Sequence, residues 1–348
     1  MYHPIRAQHS DKKSPYLHGD TPVPPQWPSY TGESQFVGIS SSGLVTVYVD
    51  PTLGGPGLQN AQDLVSDADR VVQANNNLFG TSGGPVSVIV FALHGRTNGT
   101  GGADHMGCDY TTGAAIEVCA SFGNSDRVSA LFEAELSECS MGGNLCGVST
   151  GEALSRWCAA VISNNALSDF ATAPRWVQKG MPDYVNQTDP SDQHADSTGC
   201  GMAFISWLIS QGYGLDKIAQ AMVSLGDSGT LAQLYANLTG NAPSNAWPAF
   251  RTAIQNLPNG VTNDDPFGGG TQLAYLSPWA VALAGRAFAA ILTDIAAGKA
   301  AHQMVASVHA VLGTAPNAKT AGLRDGMCTT GSHRLLPPLG GDGESHKR

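Results

Sequence analysis

Two glutamates one helical turn apart, Glu135 and Glu138, are the residues best placed for chemistry in this sequence. The apolar spacing of residues 128–139 predicts an α-helix, whose successive side chains are about 100° apart. Glu135 then falls within the apolar face and Glu138 at its edge, whereas Glu133 points away and is expected to be solvated. A core-facing carboxylate must be paired, metal-bound or protonated, so both are predicted catalytic residues. Alternatively, the helix lies at the surface and both carboxylates are solvated.

Two polar loops carry further groups that could assist these carboxylates. One loop holds His105 and Asp109, and the other holds Asp192 and His194. Imidazole titrates near neutral pH, so either histidine could act as an acid, a base or a ligand. We predict a catalytic role for His105 and substrate contacts for Asp109, Asp192 and His194. The alternatives are histidines that bond to the backbone, and acidic residues that cap a helix or bind calcium.

The elements that must position these groups follow from the spacing of apolar residues. Runs of β-branched residues predict strands, and a helical period held from Leu58 to Phe79 predicts a long helix. A polar loop, His94–Thr112, precedes a short strand that is expected at the edge of the sheet. The predicted order is a strand at Leu44–Val49, the long helix, a strand at Val86–Leu93, the edge strand at Ala115–Ala120, and a helix from Asn124 or Ser125 to about Cys139.

The second half of the chain is predicted to be mostly helical. Ser149 and Glu152 have the spacing of a capping box, in which the glutamate would accept from the Ser149 N–H. Later helices are predicted at Cys200–Gln211, Leu215–Leu225, Leu231–Leu238, from Ser277-Pro278, and at Ala300–Leu312. The expected organisation is an extended arm at 1–40, an α/β lobe at 41–145, a helical lobe at 146–257, a linker with additional helices at 258–315, and a loose tail at 316–348.

The segment Ala134-Glu135-Leu136-Ser137-Glu138 and the later Glu152 resemble the motifs of zincin metallopeptidases, in particular the gluzincin branch. There an HExxH helix follows an edge strand, two histidines and a later glutamate hold zinc, and the glutamate between the histidines activates water. The resemblance implies an α+β fold: a small mixed sheet, a long backing helix, an active-site helix and a mostly helical lobe. It makes Glu135 the general base and Glu152 a metal ligand.

The motif departs from that family at both histidine positions. Ala134 replaces the first histidine and has no donor atom, and Glu138 replaces the second. Any metal would then be held by Glu138 and Glu152, an all-carboxylate set that suits a hard divalent cation better than zinc. An ordinary zinc site is therefore not expected. An alternative zinc site from His105, Cys108 and Cys119 lacks paired CxxC spacing.

The amino-acid composition indicates the compartment in which the protein functions and argues against some classes of binding partner. The 348 residues carry a net charge of −10 with only 13% charged residues, which argues against nucleic-acid binding. No apolar run is long enough for a membrane span. Few charges, 42 glycines and seven cysteines predict a secreted protein with local disulfides, although buried thiols are the alternative. Residues 1–20 lack the apolar stretch of a signal peptide, so a processed or altered amino terminus is expected.

Three functions remain open at this point. The first is an extracellular hydrolase of a peptide or other polymer, with Glu135 as general base. The second is a zincin-like binding or structural module that has lost its metal, which Ala134 favours. The third is a glycoside hydrolase, in which Glu135 would need a more distant partner such as Asp109 or Asp196. The sequence does not indicate an oligomeric state.

Overall fold

One mixed sheet of five strands is formed within residues 22–111, 114–163 and 167–268, which are the residues that the computed structural model describes. The strand order is β1-β2-β3-β5-β4. Strands β2, β3 and β5 are parallel, and β1 and β4 pair antiparallel at the two edges. The strands are β1 (Gln35–Ile39), β2 (Val45–Val49), β3 (Val86–Phe91), β4 (Ala103–His105) and β5 (Ala115–Cys119).

Eight α-helices accompany this sheet in the described part of the chain, so the protein is an α+β protein as predicted. The long helix α1 packs on β2, and it begins four residues earlier than its apolar period indicates. The helices are α1 (Gly54–Phe79), α2 (Ser125–Ser140), α3 (Ser149–Ile162), α4 (Ala173–Gln178), α5 (Ala195–Ser210), α6 (Leu215–Leu225), α7 (Leu231–Thr239) and α8 (Ala246–Gln255).

The edge of the sheet differs from the prediction. The strand expected at the edge, β5, is second from it, because β4 forms within the predicted loop and pairs with β5. A three-residue strand that contains an aspartate and a histidine has no alternating apolar pattern, so the sequence does not signal it. At the opposite edge, β1 lies within the predicted arm and pairs with β2.

Helix α2 is enclosed on nearly every side. Asn124, one of the two N-cap residues that the sequence allows, caps it by accepting from the Arg127 N–H at 3.3 Å. The helix packs against α1, α3, β4 and β5. All of its residues are buried except Asp126 and Glu135. The expectation that Glu133 is solvated is therefore wrong: its exposure is 0%, because neighbouring helices cover the side of α2 that the wheel left to solvent.

The helical part of the chain packs around aromatic side chains, with Trp176 stacked on Phe250 at 5.7 Å between ring centroids. Helix α6 has its predicted bounds, α5 begins five residues before the predicted start, and α4 and α8 were not predicted. The predicted linker packs on this part, since Asp264 accepts from two backbone N–H groups near the start of α4. The predicted helices beyond residue 270 and the tail lie outside the described residues. No described helix has the length and apolar character that a membrane crossing requires.

The closely spaced pairs that would make local bridges, Cys108 with Cys119 and Cys139 with Cys146, are not bonded to each other. Cys108 is bonded to Cys146, 38 residues away, and this bridge joins the segment after β4 to the loop between α2 and α3. Cys119 and Cys139 are buried thiols, as are Cys158 and Cys200. Pairing by closeness in sequence failed because the sheet brings the β4–β5 connection beside the end of α2, which the spacing of cysteines does not reveal.

Candidate functional site

A cleft with a volume of about 320 Å³ opens between α2, α3, β4 and the start of α5. The cleft is lined by five of the site residues that the sequence predicts: His105, Glu135, Glu138, Glu152 and Asp192. These residues come from four separate elements or loops. Residue 105 ends β4, residues 135 and 138 lie on α2, and residue 152 is in the first turn of α3. The fold therefore brings most of the predicted groups to one place.

The remaining predicted groups do not line the cleft. Asp109 Oδ1 accepts from the N–H and the hydroxyl of Thr111, each at 2.8 Å. His194 precedes α5, and its Nδ1 lies 2.6 Å from Asp189 Oδ2. Asp196, one of the distant carboxylates considered as a partner for Glu135, instead accepts from Arg175 at 2.9 Å. These side chains make contacts within the loops around the cleft and are not among the residues that line it.

His105 and Glu138 form an ion pair in the wall of the cleft. His105 Nε2 lies 2.9 Å from Glu138 Oε2, and His105 Nδ1 lies 2.8 Å from the carbonyl oxygen of Gly107. Burial alone would lower the pKa of His105, but the hydrogen bond and the charge of Glu138 outweigh it and raise that pKa. With acceptors at both ring nitrogens, the arrangement favours a doubly protonated imidazole.

Glu152 is paired with Arg156 and is not a helix cap. Its Oε1 accepts from Arg156 Nε at 2.6 Å, and Arg156 Nη1 donates to the carbonyl of Phe170 at 2.9 Å. The predicted capping box is wrong, because Val148 is the N-cap and the Ser149 N–H donates to the carbonyl of Asp189. The i, i+4 spacing of a glutamate and an arginine is the signal that could have identified this pair.

Glu135 differs from both of these carboxylates because it has no structural partner. It is partly exposed to the cleft and makes no hydrogen bond with a described residue. Burial raises its pKa well above the ordinary value of a glutamate, and the charges of Glu138 and Glu152 raise it further. Asp104 and Asp192 act in the same direction. Glu135 is therefore a carboxyl that holds its proton more tightly than usual and still reaches an open cavity.

Part of the cleft lining is apolar, and the sequence did not reveal this. Leu131 and Ala134 line it from α2, and Leu167 and Phe170 line it from the segment after α3. The guanidinium of Arg156 lies 5.7 Å from the centre of the Phe170 ring. Leu167 and the single 3-10 turn Ser168–Phe170 supply these contacts, and a turn this short has no period that could have placed it in the cleft.

The donor set does not fit the zinc ion that the zincin resemblance implies. Ala134 contributes no donor, and the carboxylates of Glu138 and Glu152 are already held by His105 and Arg156. Within residues 22–111, 114–163 and 167–268, no group of three or more His, Cys, Asp or Glu side chains is arranged to hold a metal. The alternative zinc site fails on its chemistry, since the thiol of Cys108 is consumed in a disulfide.

Comparison with known proteins gives a distant likeness among solved structures. No family model matches the chain, and no curated protein matches it. Among solved structures, the chain is similar to yeast LTA4 hydrolase, which was determined in complex with bestatin. The two share 13% sequence identity with a TM-score of 0.34, over 65% of this chain and 38% of the hydrolase chain. The match thus spans well under two thirds of the hydrolase.

Proposed function

We propose that this protein is a secreted, zincin-like hydrolase that cleaves peptide bonds in an extracellular polymer, with Glu135 as the general base. The observation that carries the proposal is the state of Glu135, a carboxyl without a hydrogen bond to a described residue that reaches an open cleft and has a raised pKa. A carboxyl whose pKa is moved upward by burial and like charges suits proton transfer near neutral pH. The Cys108–Cys146 disulfide is compatible with an oxidising compartment.

In the proposed reaction, Glu135 takes a proton from a water molecule while the water oxygen bonds to the carbonyl carbon of the substrate. The carbonyl oxygen becomes an oxyanion on a tetrahedral carbon. When this intermediate collapses, the carbon–nitrogen bond breaks and Glu135 returns its proton to the departing nitrogen. The products are a carboxylic acid and an amine, and the raised pKa serves both transfers because Glu135 must first accept and then release the same proton.

Two cationic side chains support this chemistry in different ways. Arg156 lines the cleft, and its Nη2 has no hydrogen-bond partner among the described residues, so we assign it to stabilisation of the oxyanion. Both ring nitrogens of His105 are occupied by Glu138 and Gly107. We therefore assign His105 to holding Glu138 and balancing its charge, a positioning role in place of direct proton transfer.

The edge strand favours a peptide as the substrate. Among the described strands, β4 pairs only with β5, and on its other side the His105 N–H is bonded to Asp104 Oδ1. Ala103, Asp104 and His105 line the cleft. The free edge of a strand offers backbone N–H and C=O groups to an extended chain, which binds as an additional strand. A polypeptide has the matching donors and acceptors along its whole length, and the carboxyl of Glu135 lies in the wall facing that edge.

The proposal is tested by incubating the purified protein with a proteome-derived peptide library and identifying new termini by mass spectrometry. We expect cleavage by the wild-type protein and a loss of about 10²- to 10⁴-fold for Glu135→Gln, the range typical of a general base. Glu33→Gln, which removes an exposed carboxylate outside the cleft, is the matched control and should cleave normally. Equal cleavage by Glu135→Gln and wild type would refute the role of Glu135.

A non-catalytic binding module is the second candidate, and the donor set favours it. Ala134 has no donor atom, and Glu138 and Glu152 are each held in an ion pair. Among the described residues, the cleft therefore lacks the zinc ligands of an active zincin, as expected of a zincin-like scaffold that has lost its metal. In that case the cleft would bind an extended chain without cleaving it. Absence of any new terminus in the library, together with binding of peptides to the cleft, would select this candidate over the hydrolase.

A further inference from the structure

Negative charge in the cleft exceeds what its own cations balance. The cleft contains the carboxyls of Asp104 and Asp192 in addition to the three glutamates. The positive groups that line it, His105 and Arg156, are each engaged by one glutamate. Asp192 accepts from the amide of its neighbour Gln193 at 2.8 Å, and Asp104 from the adjacent backbone N–H of residue 105 at 2.8 Å, so neither is neutralised by these contacts.

The two aspartates that lack an ion pair and the apolar residues line different parts of the cleft. Strand β4 runs alongside α2 in the same direction, because Arg127 at the start of α2 donates to the Gly101 carbonyl at 3.0 Å and Glu138 near its end meets His105. Leu131 therefore lies toward the beginning of β4, with the apolar segment that contains Phe170. An extended chain placed along β4 would pass from apolar surroundings into acidic ones.

A buried hydroxyl in the wall of the cleft also lacks a partner. Thr198, in the first turns of α5, is 1% exposed, and its Oγ1 makes no hydrogen bond within the described part of the chain. A buried hydroxyl without a partner is unfavourable, because it has given up its hydrogen bonds to water and gained none in return. Thr198 lines the cleft beside Ala195, so this unpartnered hydroxyl belongs to the wall that a bound chain would pack against.

We propose that the cleft selects peptides with a lysine or arginine side chain that lies between Asp104 and Asp192, next to an apolar side chain at the Leu131 and Phe170 end. This inference rests on the proposed function, because it concerns the same cleft, but its test measures binding and does not require cleavage. A cationic side chain would balance two carboxylates that form no ion pair in the described structure, and it would add to the weak attraction that His105 alone exerts on Asp104. An acidic or uncharged side chain at the same place gains nothing from them.

The test is a binding measurement on Glu135→Gln, which cannot transfer the proton and resembles Glu135 in its protonated form. Fluorescein-labelled nonapeptides of Ala, Thr and one Leu, differing only at the fifth residue, are titrated by fluorescence anisotropy. We expect the Lys and Arg peptides to bind about tenfold more tightly than the norleucine peptide, with the Glu peptide weakest. The preference should shrink as salt is raised, since screening weakens the attraction.

Matched variants identify the residues that cause the preference. Asp104→Asn/Asp192→Asn in the same background should abolish the tenfold difference, whereas Glu33→Gln/Asp216→Asn, which removes two exposed charges elsewhere, should preserve it. Norleucine binding as tightly as lysine, or a lysine preference that survives the double cleft variant, would overturn the inference. Displacement of the Lys peptide by a glucosamine oligomer more readily than by unlabelled Lys peptide would overturn the assignment to peptides.

Failure of the proposed function gives a different pattern. If the wild-type protein binds the Lys peptide selectively but leaves it intact after prolonged incubation, the inferred selectivity stands and the hydrolase proposal fails. If cleavage occurs and depends on Glu135 but shows no enrichment of Lys or Arg in the cleft-bound peptides, the hydrolase proposal stands and the inference fails.

Discussion

His105 Nε2 lies 2.9 Å from Glu138 Oε2, and this contact joins the short edge strand β4 to helix α2. Each side chain is only 11% exposed. The pair connects elements that are adjacent in space but 33 residues apart in sequence. It fixes the distance between the strand that we expect to hold a substrate and the helix that presents Glu135, so its charge state matters for the whole cleft.

Replacing Glu138 by glutamine should lower the pKa of His105. The hydrogen bond and charge of Glu138 are what raise that pKa against the effect of burial. A histidine with a raised pKa in the folded state contributes stability that is complete below about pH 6.5 and is lost as the pH rises through the folded pKa. Wild type should therefore lose more stability than Glu138→Gln in that window.

The measurement is an NMR titration of the histidine ring protons, assigned with a His105→Asn variant, combined with urea unfolding across the same pH range. An unchanged ring titration in Glu138→Gln would show that the pair does not exist in solution. The matched control is Glu33→Gln, which removes an exposed carboxylate outside the cleft and should leave the His105 titration unchanged.

Glu133 and Glu135 provide a second prediction, since both have a pKa raised by burial but only Glu135 reaches the cleft. Neither oxygen of Glu133 has a hydrogen-bond partner in the described structure. The unfolded chain releases these protons near pH 4.3 while the folded chain retains them, so stability falls as pH rises from there toward the folded pKa. Glu133→Gln and Glu135→Gln should each flatten that fall.

Activity should separate the two variants. Peptide cleavage should survive in Glu133→Gln and be lost in Glu135→Gln, because only the latter residue touches the cleft. Urea unfolding at pH 4, 7 and 9 measures how the free energy of unfolding depends on pH, and the peptide-library assay measures cleavage. Equal loss of cleavage in both variants would mean that the assay reports general damage to α2 and not the chemistry of Glu135.

The same two glutamates show what the sequence could predict of this site and what it could not. The helical period predicted correctly that Glu135 and Glu138 share one side of α2 and that Glu133 lies opposite. It did not predict which side is covered, because burial depends on α1 and α3, and these pack on α2 from distant parts of the chain. Amphipathic reasoning assumes one exposed face, and α2 has almost none.

Nonlocal contacts explain the other differences. Strand β4 exists because β5 provides a partner for Ala103–His105, and neither its length nor its residues signal a strand. The capping motif at Ser149 was overridden because Arg156 attracts Glu152 and a carbonyl from residue 189 takes the Ser149 N–H. Local patterns therefore placed most of the long elements, whereas the walls of the cleft required the tertiary structure.

The Cys108–Cys146 bridge should stabilise the segment that carries His105. It closes a separation of 38 residues, for which the loss of entropy in the unfolded chain corresponds to about 4 kcal/mol. Beside it, the Gly143 N–H donates to the Cys108 carbonyl at 2.8 Å, which fixes the same segment against the end of α2. We expect Cys108→Ser/Cys146→Ser to lower the free energy of unfolding by about 2–5 kcal/mol.

Peptide mapping without reduction tests the pairing directly. Cys108 and Cys146 should be recovered in one linked fragment, and the thiols of Cys119, Cys139 and Cys158 should react with an alkylating reagent only after denaturation, because they are buried. Recovery of a Cys139–Cys146 fragment would contradict the structure. Urea unfolding of the double serine variant against Cys119→Ser then separates the effect of the bridge from the loss of a thiol.

The last prediction concerns zinc binding. The side chains of the wild-type cleft are a poor ligand set for zinc, but two substitutions on α2 should create a better one. Elemental analysis of protein purified without chelator should find far less than one zinc per chain. Ala134→His/Glu138→His places two imidazoles at i and i+4 on the wall that faces Glu152, the spacing that binds zinc in HExxH helices. This variant should bind one zinc and unfold at a higher temperature when zinc is added.

Glu138→His alone is the matched control, since one imidazole beside Ala134 leaves the site short of a ligand. It should show little zinc-dependent stabilisation. One zinc per chain in the wild-type protein would mean that Glu138 and Glu152 leave their partners to hold a metal, and the roles proposed for Arg156 and His105 would fail. Absence of zinc binding in the double histidine variant would show instead that Arg156 keeps Glu152 unavailable, and Arg156→Leu in that variant should then restore it.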